Sequence, residues 1–190
     1  MTTADASLAH FAMDARASLF TVQAFASGMA AVVAHSPKFA IRDFVGEMEL
    51  VPGSMQKASV NLTIKVGSFE IMDEVTNSDR REIERVMFDE VLEKSVFPLI
   101  EYRSSRVTAS KTGESMYRIN VAGDLTLHGV TRGVGLEAQV VTGEDAIRAQ
   151  GSFSLMQSDY RLKIASVAGG TLKLKDELRC AYFILGRRQA

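Results

Sequence analysis

The 190-residue sequence contains no tryptophan, one cysteine, three prolines and three histidines, and its formal net charge is −1. A single cysteine, Cys180, excludes an intramolecular disulfide and any multi-cysteine metal site. It lies in the apolar stretch RCAYFIL, which favours an inert core thiol over redox chemistry. The near-neutral charge and the 7% aromatic content argue against a nucleic-acid partner, and we expect none.

Long apolar runs are also missing. No run of about 18 consecutive apolar residues occurs, so we expect no membrane span. The N-terminal MTTADASLAHFAMDARASLF lacks the uninterrupted apolar segment of a signal peptide, which predicts a cytoplasmic protein and leaves an already cleaved secreted form as the alternative. No low-complexity linker divides the chain, so we predict one domain over residues 1–190.

Recognisable catalytic and metal motifs are absent too. The histidines form no HExxH or HxH pattern, no GxSxG is present, and GVG at 133–135 is too short for a dinucleotide fingerprint. We therefore predict no metal ligand, no catalytic residue and no cofactor. His128 is the histidine that we consider for a binding role, because it falls at the tip of a predicted hairpin.

The segment SVAGGTLKLKDEL, residues 166–178, raises the question of a phosphate-binding loop. Such a loop needs a helix N-terminus after its glycines, whereas here apolar and polar residues alternate as in a strand. We interpret Gly169 and Gly170 as a tight turn that leads into a strand. Lys173 and Lys175 are then expected to face solvent, and contact with a ligand headgroup remains an alternative for them.

Alternation of apolar and polar residues dominates the rest of the chain and predicts a mostly β protein. It is clearest over Ala58–Val66 and Ile147–Leu155. Val121–Leu127 and Val134–Val140 are predicted to form an antiparallel hairpin joined by HGVTRG. Further strands are expected near 18–26, 38–50, 99–108 and 172–185. Many strands separated by turns indicate a sandwich or a barrel.

Two segments carry a helical pattern instead. Residues Ser78–Lys94 place apolar side chains at helical spacing, and Asp79 with Glu82 has the spacing of a capping box. Residues Gly28–His35, GMAAVVAH, predict a short apolar helix or turn that could close one end of a barrel.

Asp43 stands out in the strand pattern around residue 42. If the strand is unbroken, Asp43 shares a face with Phe39, Ile41 and Val45 and is expected among apolar neighbours. A buried carboxylate needs a partner, so the side chain could form a structural ion pair or hold the polar end of a ligand.

Several segments together resemble the YceI-like family of lipocalin-like, polyisoprenoid-binding proteins. They are FTVQAFASG, FAIRDFVGE, SDRREIERVMFDEVLE, FPLIEYRSSRV, GDLTLHGVTR and QSDYRLKIASVAGGTLKLKDEL, in this order over residues 8–187. Arg161 is a departure, because the branch with this closing segment has glycine after the aromatic residue. The resemblance implies an extended antiparallel eight-stranded barrel with an amphipathic helix and the short apolar helix.

The resemblance also implies a function, namely binding of a long isoprenoid, a quinone or a similar amphiphile inside the barrel by a carrier, storage or sequestering protein. An interior lined by apolar side chains can take up a long tail at about 0.8 kcal/mol per buried CH₂. From the strand faces we predict a ligand-binding set that also includes the two polar candidates. The set is Phe20, Val22, Phe39, Ile41, Asp43, Leu62, Ile64, Leu125, Leu127, His128, Phe153 and Leu155.

Two alternatives remain open at this stage. The first is an enzyme that acts on a hydrophobic substrate inside the barrel, with His35, Asp43 or His128 as acid or base. The second is an interaction module with a filled barrel, in which the closing strand YFIL pairs with a second copy in a homodimer.

Overall fold

A computed structural model describes residues 8–27, 36–51, 54–167 and 172–189. Strands account for most of these residues, as the alternating pattern predicts. Their bounds are β1 Ala9–Met13, β2 Leu19–Ser27, β3 Lys38–Ile41, β4 Phe44–Val51, β5 Ser54–Lys65, β6 Phe69–Ile71, β7 Leu99–Lys111, β8 Met116–Leu127, β9 Val130–Thr142, β10 Ala146–Met156, β11 Ser166–Val167 and β12 Leu172–Arg188.

Eight of the strands close into an antiparallel barrel, which confirms the predicted fold class. The order around the barrel is β1-β4-β5-β7-β8-β9-β10-β12, and β12 returns to β1 through the pair Phe11 and Arg188. All of these pairings are antiparallel. Barrels of eight strands leave an interior that is either filled by side chains or holds one slender ligand.

The sheet continues past the barrel at one end. Strand β12 pairs with β1 near its C-terminus and with β2 over the rest of its length, and β2 is followed by β3 and β6. Among the described residues β6 pairs with β3 and with no other strand. We call β2, β3 and β6 the flap, because they extend the sheet beyond the closed ring at the end where the helix lies.

The helix spans 15 residues and overlaps the predicted one, but it begins and ends at different residues. It runs as an α-helix, α1, over Asn77–Arg85 and continues with π-type hydrogen bonding over Val86–Val91. The N-cap is Thr76, whose hydroxyl oxygen accepts a hydrogen bond from the backbone N–H of Asp79 at 3.2 Å. The predicted capping box of Asp79 with Glu82 is therefore wrong, because the helix begins one residue earlier and Asp79 is the third residue of its first turn.

Turns show where local sequence overrides the expected strand lengths. The hairpin β8–β9 turns over His128 and Gly129 alone, with φ angles of 52° and 70°, so Thr131–Gly133 belong to β9 rather than to a longer connection. Arg161 also has a positive φ, 57°, after the short 3₁₀ turn at Gln157–Tyr160. A left-handed backbone is easiest for glycine, so the departure at Arg161 retains the conformation that glycine would adopt.

The expected burial of Asp43 is wrong. Strand β3 ends at Ile41 and β4 begins at Phe44, and the break shifts the alternation by one residue. Phe44 is consequently buried while Val45 is 67% exposed. The Asp43 carboxylate lies on the outer surface, where Lys65 Nζ donates to it at 2.7 Å.

Two predicted features lie wholly or partly outside the described residues. The short apolar helix at Gly28–His35 is one, and the glycine turn at Gly169 and Gly170 is the other. The strand predicted after that turn is confirmed as β12, and the side chain of Lys175 is exposed.

Candidate ligand-binding site

An apolar cavity runs through the barrel. Its volume is about 190 Å³, whereas roughly 10–15 Å³ is enough to hold one water. Its wall is made by the inward side chains of the ring strands and of β2 and β3, and we call it the barrel cavity. The interior is therefore hollow, which the alternating sequence pattern could not decide.

The predicted apolar set falls on the cavity walls, although its role in binding stays a prediction. Nine of its ten members line the barrel cavity, and Phe39 lines a second cavity described below. The nine are Phe20, Val22, Ile41, Leu62, Ile64, Leu125, Leu127, Phe153 and Leu155. They reach the interior because each occupies the inward face of its strand, as period-two alternation predicts.

Two tyrosines line the same cavity and were not predicted. Tyr102 on β7 reaches over Gly123 on β8, and its hydroxyl donates to the carbonyl oxygens of Val121 and Val134, each at 3.3 Å. Tyr182 on β12 reaches over Gly151 on β10 and donates to the carbonyl of Glu137 on β9 at 2.8 Å.

Glycine is required beneath both rings. A Cβ atom added to Gly123 would lie 2.6 Å from the Tyr102 hydroxyl, and one added to Gly151 would overlap the Tyr182 hydroxyl and the Glu137 carbonyl. Both hydroxyl groups are therefore held against the wall by main-chain acceptors. They leave a cavity surface that is apolar although it contains two phenols.

Burial keeps one thiol and two phenols of the barrel cavity neutral. Burial raises the pKa of the Cys180 thiol to about 12, in line with the predicted inert core thiol. Burial is also the main cause that raises the pKa of Tyr102 to about 12 and that of Tyr182 to about 12. None of these groups is poised to exchange a proton near neutral pH.

A second apolar cavity of about 550 Å³ lies between the helix and the flap. Ile83, Val86, Met87 and Val91 line it from the helix, at the spacing predicted for the apolar helical face. We call it the helix cavity. It shares wall residues with the barrel cavity, namely Val22, Phe69, Leu92, Leu162 and Leu178. The two cavities therefore adjoin, with these five side chains between them.

The two polar candidates lie outside this space. Asp43 lines a separate surface pocket with Lys65 and Lys94. His128 is nearly buried, but its Nε2 lies 2.7 Å from the carboxylate of Glu93 and its ring packs against Phe97 at 4.3 Å. Neither residue lines the barrel cavity or the helix cavity. The structure therefore supports a local structural contact for each.

Within the described part of the chain, no group of three or more His, Cys, Asp or Glu side chains is placed to hold a metal ion. In the same residues, no helix is long and apolar enough to cross a bilayer.

The closing strand is not a free edge, since β12 pairs with β10 on one side and with β1 and β2 on the other. Among the described residues β12 therefore offers no free edge for pairing of YFIL with a second copy, and a homodimer stays a prediction.

The sequence of this chain matches the model of the YceI-like domain over residues 11–180, and the protein belongs to that family. No curated protein sequence matches it at a significant level.

Solved structures share the fold at low sequence identity. BcnA of Burkholderia cenocepacia is 18% identical, with a TM-score of 0.70 over 91% of this chain and 98% of that one. A polyisoprenoid binding domain from Saccharophagus degradans, implicated in plant cell wall breakdown, is 14% identical, with a TM-score of 0.67 over 96% of this chain and 100% of that one. The YceI protein of Campylobacter jejuni is 16% identical, with a TM-score of 0.60 over 83% of this chain and 87% of that one.

Proposed function

We propose that this protein binds a long-chain isoprenoid or a similar amphiphilic lipid inside the barrel, as a carrier, storage or sequestering protein. The observation that carries the proposal is the largely apolar barrel cavity, together with the helix cavity that adjoins it. Each buried CH₂ of a tail contributes about 0.8 kcal/mol, so a long chain gains affinity without specific polar contacts. The polyisoprenoid binding domain from Saccharophagus degradans, which has the same fold, supports this ligand class.

The barrel wall suits this role better than catalysis. An enzyme acting on a bound lipid needs an acid or a base within hydrogen-bond reach of the reacting atom. Of the residues considered for that role, Asp43 and His128 lie outside both cavities, and His35 is outside the described residues. The described polar groups of the barrel wall with a shifted pKa are two phenols and a thiol that burial keeps neutral.

Native mass spectrometry of the purified protein, followed by solvent extraction, tests the proposal. We expect a defined adduct that extraction releases as a prenyl or acyl lipid. A mass without adduct in every preparation, which persists after prenyl and acyl lipids are added, would overturn the carrier function.

Neighbouring positions on β10 supply a matched pair of variants. Ala149 is buried on the wall of the barrel cavity, whereas Gln150 is exposed on the outer face. Ala149→Phe is expected to fill part of the cavity and to reduce lipid uptake at least about tenfold, because the new ring occupies the space of several methylene groups. Gln150→Phe adds the same ring outside and is expected to bind as the wild type does. Equal uptake by the two folded variants would contradict binding inside the barrel.

A further inference from the structure

The barrel wall is incomplete between two of its strands. Strand β9 pairs with β8 along nearly its whole length, but only its residues 138–142 pair with β10. Strand β10 in turn stays paired with β12 from Ala146 to Met156. Residues 130–137 of β9 and 152–156 of β10 therefore have no partner in each other, and we call the space between these two segments the side gap.

The inward side chains of these two strands are less covered where the strands separate. Four of the residues that line the barrel cavity lie in the paired half and are buried, whereas the four in the separated half are partly exposed. The buried four are Ala138, Val140, Ile147 and Ala149, and the partly exposed four are Val134, Leu136, Phe153 and Leu155. Missing pairing and reduced coverage coincide, which indicates a lateral opening in the wall.

The outer surface beside the side gap carries small residues. Gly133 and Gly135 occupy outward positions of β9, and a Cβ atom added to either would meet no atom within 4 Å. On β10 the outward residues are Ser152 and Ser154, and both are exposed. These four positions therefore place no bulky side chain over the opening.

Two side-chain hydrogen bonds mark the ends of the side gap. Just beyond the last strand pair, the Tyr182 hydroxyl donates to the carbonyl oxygen of Glu137 at 2.8 Å. At the other end Arg132 Nε donates to the carbonyl oxygen of Asp159 at 3.3 Å, and Tyr160 in the same turn is 2% exposed, so the wall is closed there. The two contacts lie five residues apart on β9, or about 16 Å at the rise of a strand.

Passage through the side gap breaks no strand pair, because none joins β9 to β10 there. Passage at the helix-covered end requires displacement of packed segments. Lys163 holds the helix through Glu90 at 2.6 Å, and His128 holds the segment after it through Glu93 at 2.7 Å. Rotation of side chains is much faster than movement of a packed element, so the side gap is the easier route.

We propose, on the basis of the binding function above, that the lipid enters and leaves the barrel cavity through the side gap between β9 and β10. The tail passes between the partly exposed side chains of Leu136 and Phe153, which give way by rotating. The hydrogen bond from Tyr182 to Glu137 limits how far the opening can widen. Tyr182 therefore acts on the rate of passage more than on the final affinity.

A bulky group attached beside the side gap tests this route. Gly135→Cys is labelled with a polyethylene glycol maleimide, and Asn61→Cys carries the same label on the outer face of β5, on the opposite side of the ring. Stopped-flow fluorescence with all-trans-retinol, an isoprenoid alcohol, measures uptake and release. We expect the label at position 135 to slow both at least about tenfold with an unchanged dissociation constant, because an obstacle on the route raises the barrier and not the end states. The label at position 61 should leave both rates as in the wild type.

The outcomes separate the route from the binding function. Rates that stay unchanged with the label at position 135, or that fall equally at both positions, overturn the side gap as the route while the binding function stands. If the wild type binds neither retinol nor the prenyl and acyl lipids of the mass-spectrometry experiment, both proposals fall. Wild-type protein treated with the maleimide is the control for Cys180, which is buried.

Removal of one hydroxyl group should have the opposite effect. Tyr182→Phe deletes the donor to Glu137 and should raise the uptake and release rates several-fold, with a dissociation constant within about twofold of the wild type. Tyr117→Phe changes a residue that lines neither cavity and should leave both rates unchanged. Rates that Tyr182→Phe raises no more than Tyr117→Phe does overturn the role of Tyr182.

Discussion

The barrel and its helix-covered end shift the ionisation of their side chains in opposite directions. In the barrel cavity, burial raises the pKa values of Cys180, Tyr102 and Tyr182 to about 12 each. At the helix, hydrogen bonds from Arg85 lower the pKa of Glu82, and those from Lys163 and Arg85 lower that of Glu90. The ionisable groups with raised pKa values in the barrel are therefore neutral and shielded from water, whereas those at the helix end form ion pairs that are exposed to solvent.

This difference in ionisation bears on how much the barrel and the helix end each contribute to the free energy of unfolding. Exposed ion pairs contribute little and are screened by salt. The stability that the lowered carboxyl pKa values provide is present above the unfolded pKa and is lost as the pH falls through the folded one. The raised values in the barrel act on the alkaline side, where ionisation of a buried group opposes the folded state.

The largest expected effect is alkaline destabilisation of the barrel. The thiol pKa rises from 9.0 to about 12 on folding, so its contribution is complete below pH 9.0 and is lost as the pH approaches about 12. At about pH 11 the thiol alone should remove roughly 3 kcal/mol of unfolding free energy. Urea unfolding across this pH range measures the slope, which Cys180→Ala should make shallower.

Glu82→Gln is the control for this pH experiment. It changes the helix end and not the barrel, so its alkaline slope should follow that of the wild type. A slope that Cys180→Ala leaves unchanged would show that burial of the thiol does not contribute.

A smaller effect is expected from a methyl group placed under a tyrosine ring of the barrel. Gly151→Ala forces Tyr182 away from the Glu137 carbonyl and should lower the unfolding free energy by about 2 kcal/mol. Gly135→Ala, on the neighbouring strand, meets no atom within 4 Å and should be neutral or slightly stabilising. Chemical denaturation of both variants makes the comparison, and similar losses at the two glycines would refute the role of the tyrosine contact.

The smallest effect should arise at the helix cap. Thr76→Ala removes the oxygen that accepts the Asp79 N–H and should destabilise the helix by about 1 kcal/mol. If the helix opens independently of the barrel, hydrogen exchange in α1 accelerates while exchange in β8 and β9 does not. Ser78→Ala serves as the control, because Ser78 is the second residue of the helix and its side chain has no described hydrogen bond. Acceleration in the strands as well would mean that barrel and helix open as one unit.

The fold could be predicted because the inward face of most strands is apolar without interruption. Residues Ala58–Val66 illustrate this, since their alternation persists through β5 and places Leu62 and Ile64 on the cavity wall. The prediction failed at Asp43, where two residues outside the ladder shift the register. Such a break depends on the pairing of β3 with β2 and of β4 with β5, which the alternation within one segment does not reveal.

The candidate site was predictable only in part, for the same reason. Alternation identifies which side chains point into the barrel. It does not show whether side chains from opposite walls are in contact, so it could not predict the volume of the cavity. The alternation in β7 and β12 places Tyr102 and Tyr182 on the inward face, so the sequence could have identified them as wall residues. It could not have revealed their contacts across Gly123 and Gly151, because each joins three strands. The helix cavity likewise brings together Asp73, Glu82 and Gln157 from separate segments.

The pairing of β12 has a consequence for how the chain acquires its fold. Phe11 pairs with Arg188 and Val22 with Cys180, so the contacts that close the ring and attach the flap join residues far apart in the sequence. During synthesis the barrel cannot close until residues 172–188 have left the ribosome, and β1, β2 and β10 must wait with one edge unpaired. Topologies dominated by such distant contacts fold slowly. We therefore expect the protein to be most prone to aggregation before β12 is available, while these strand edges are still exposed.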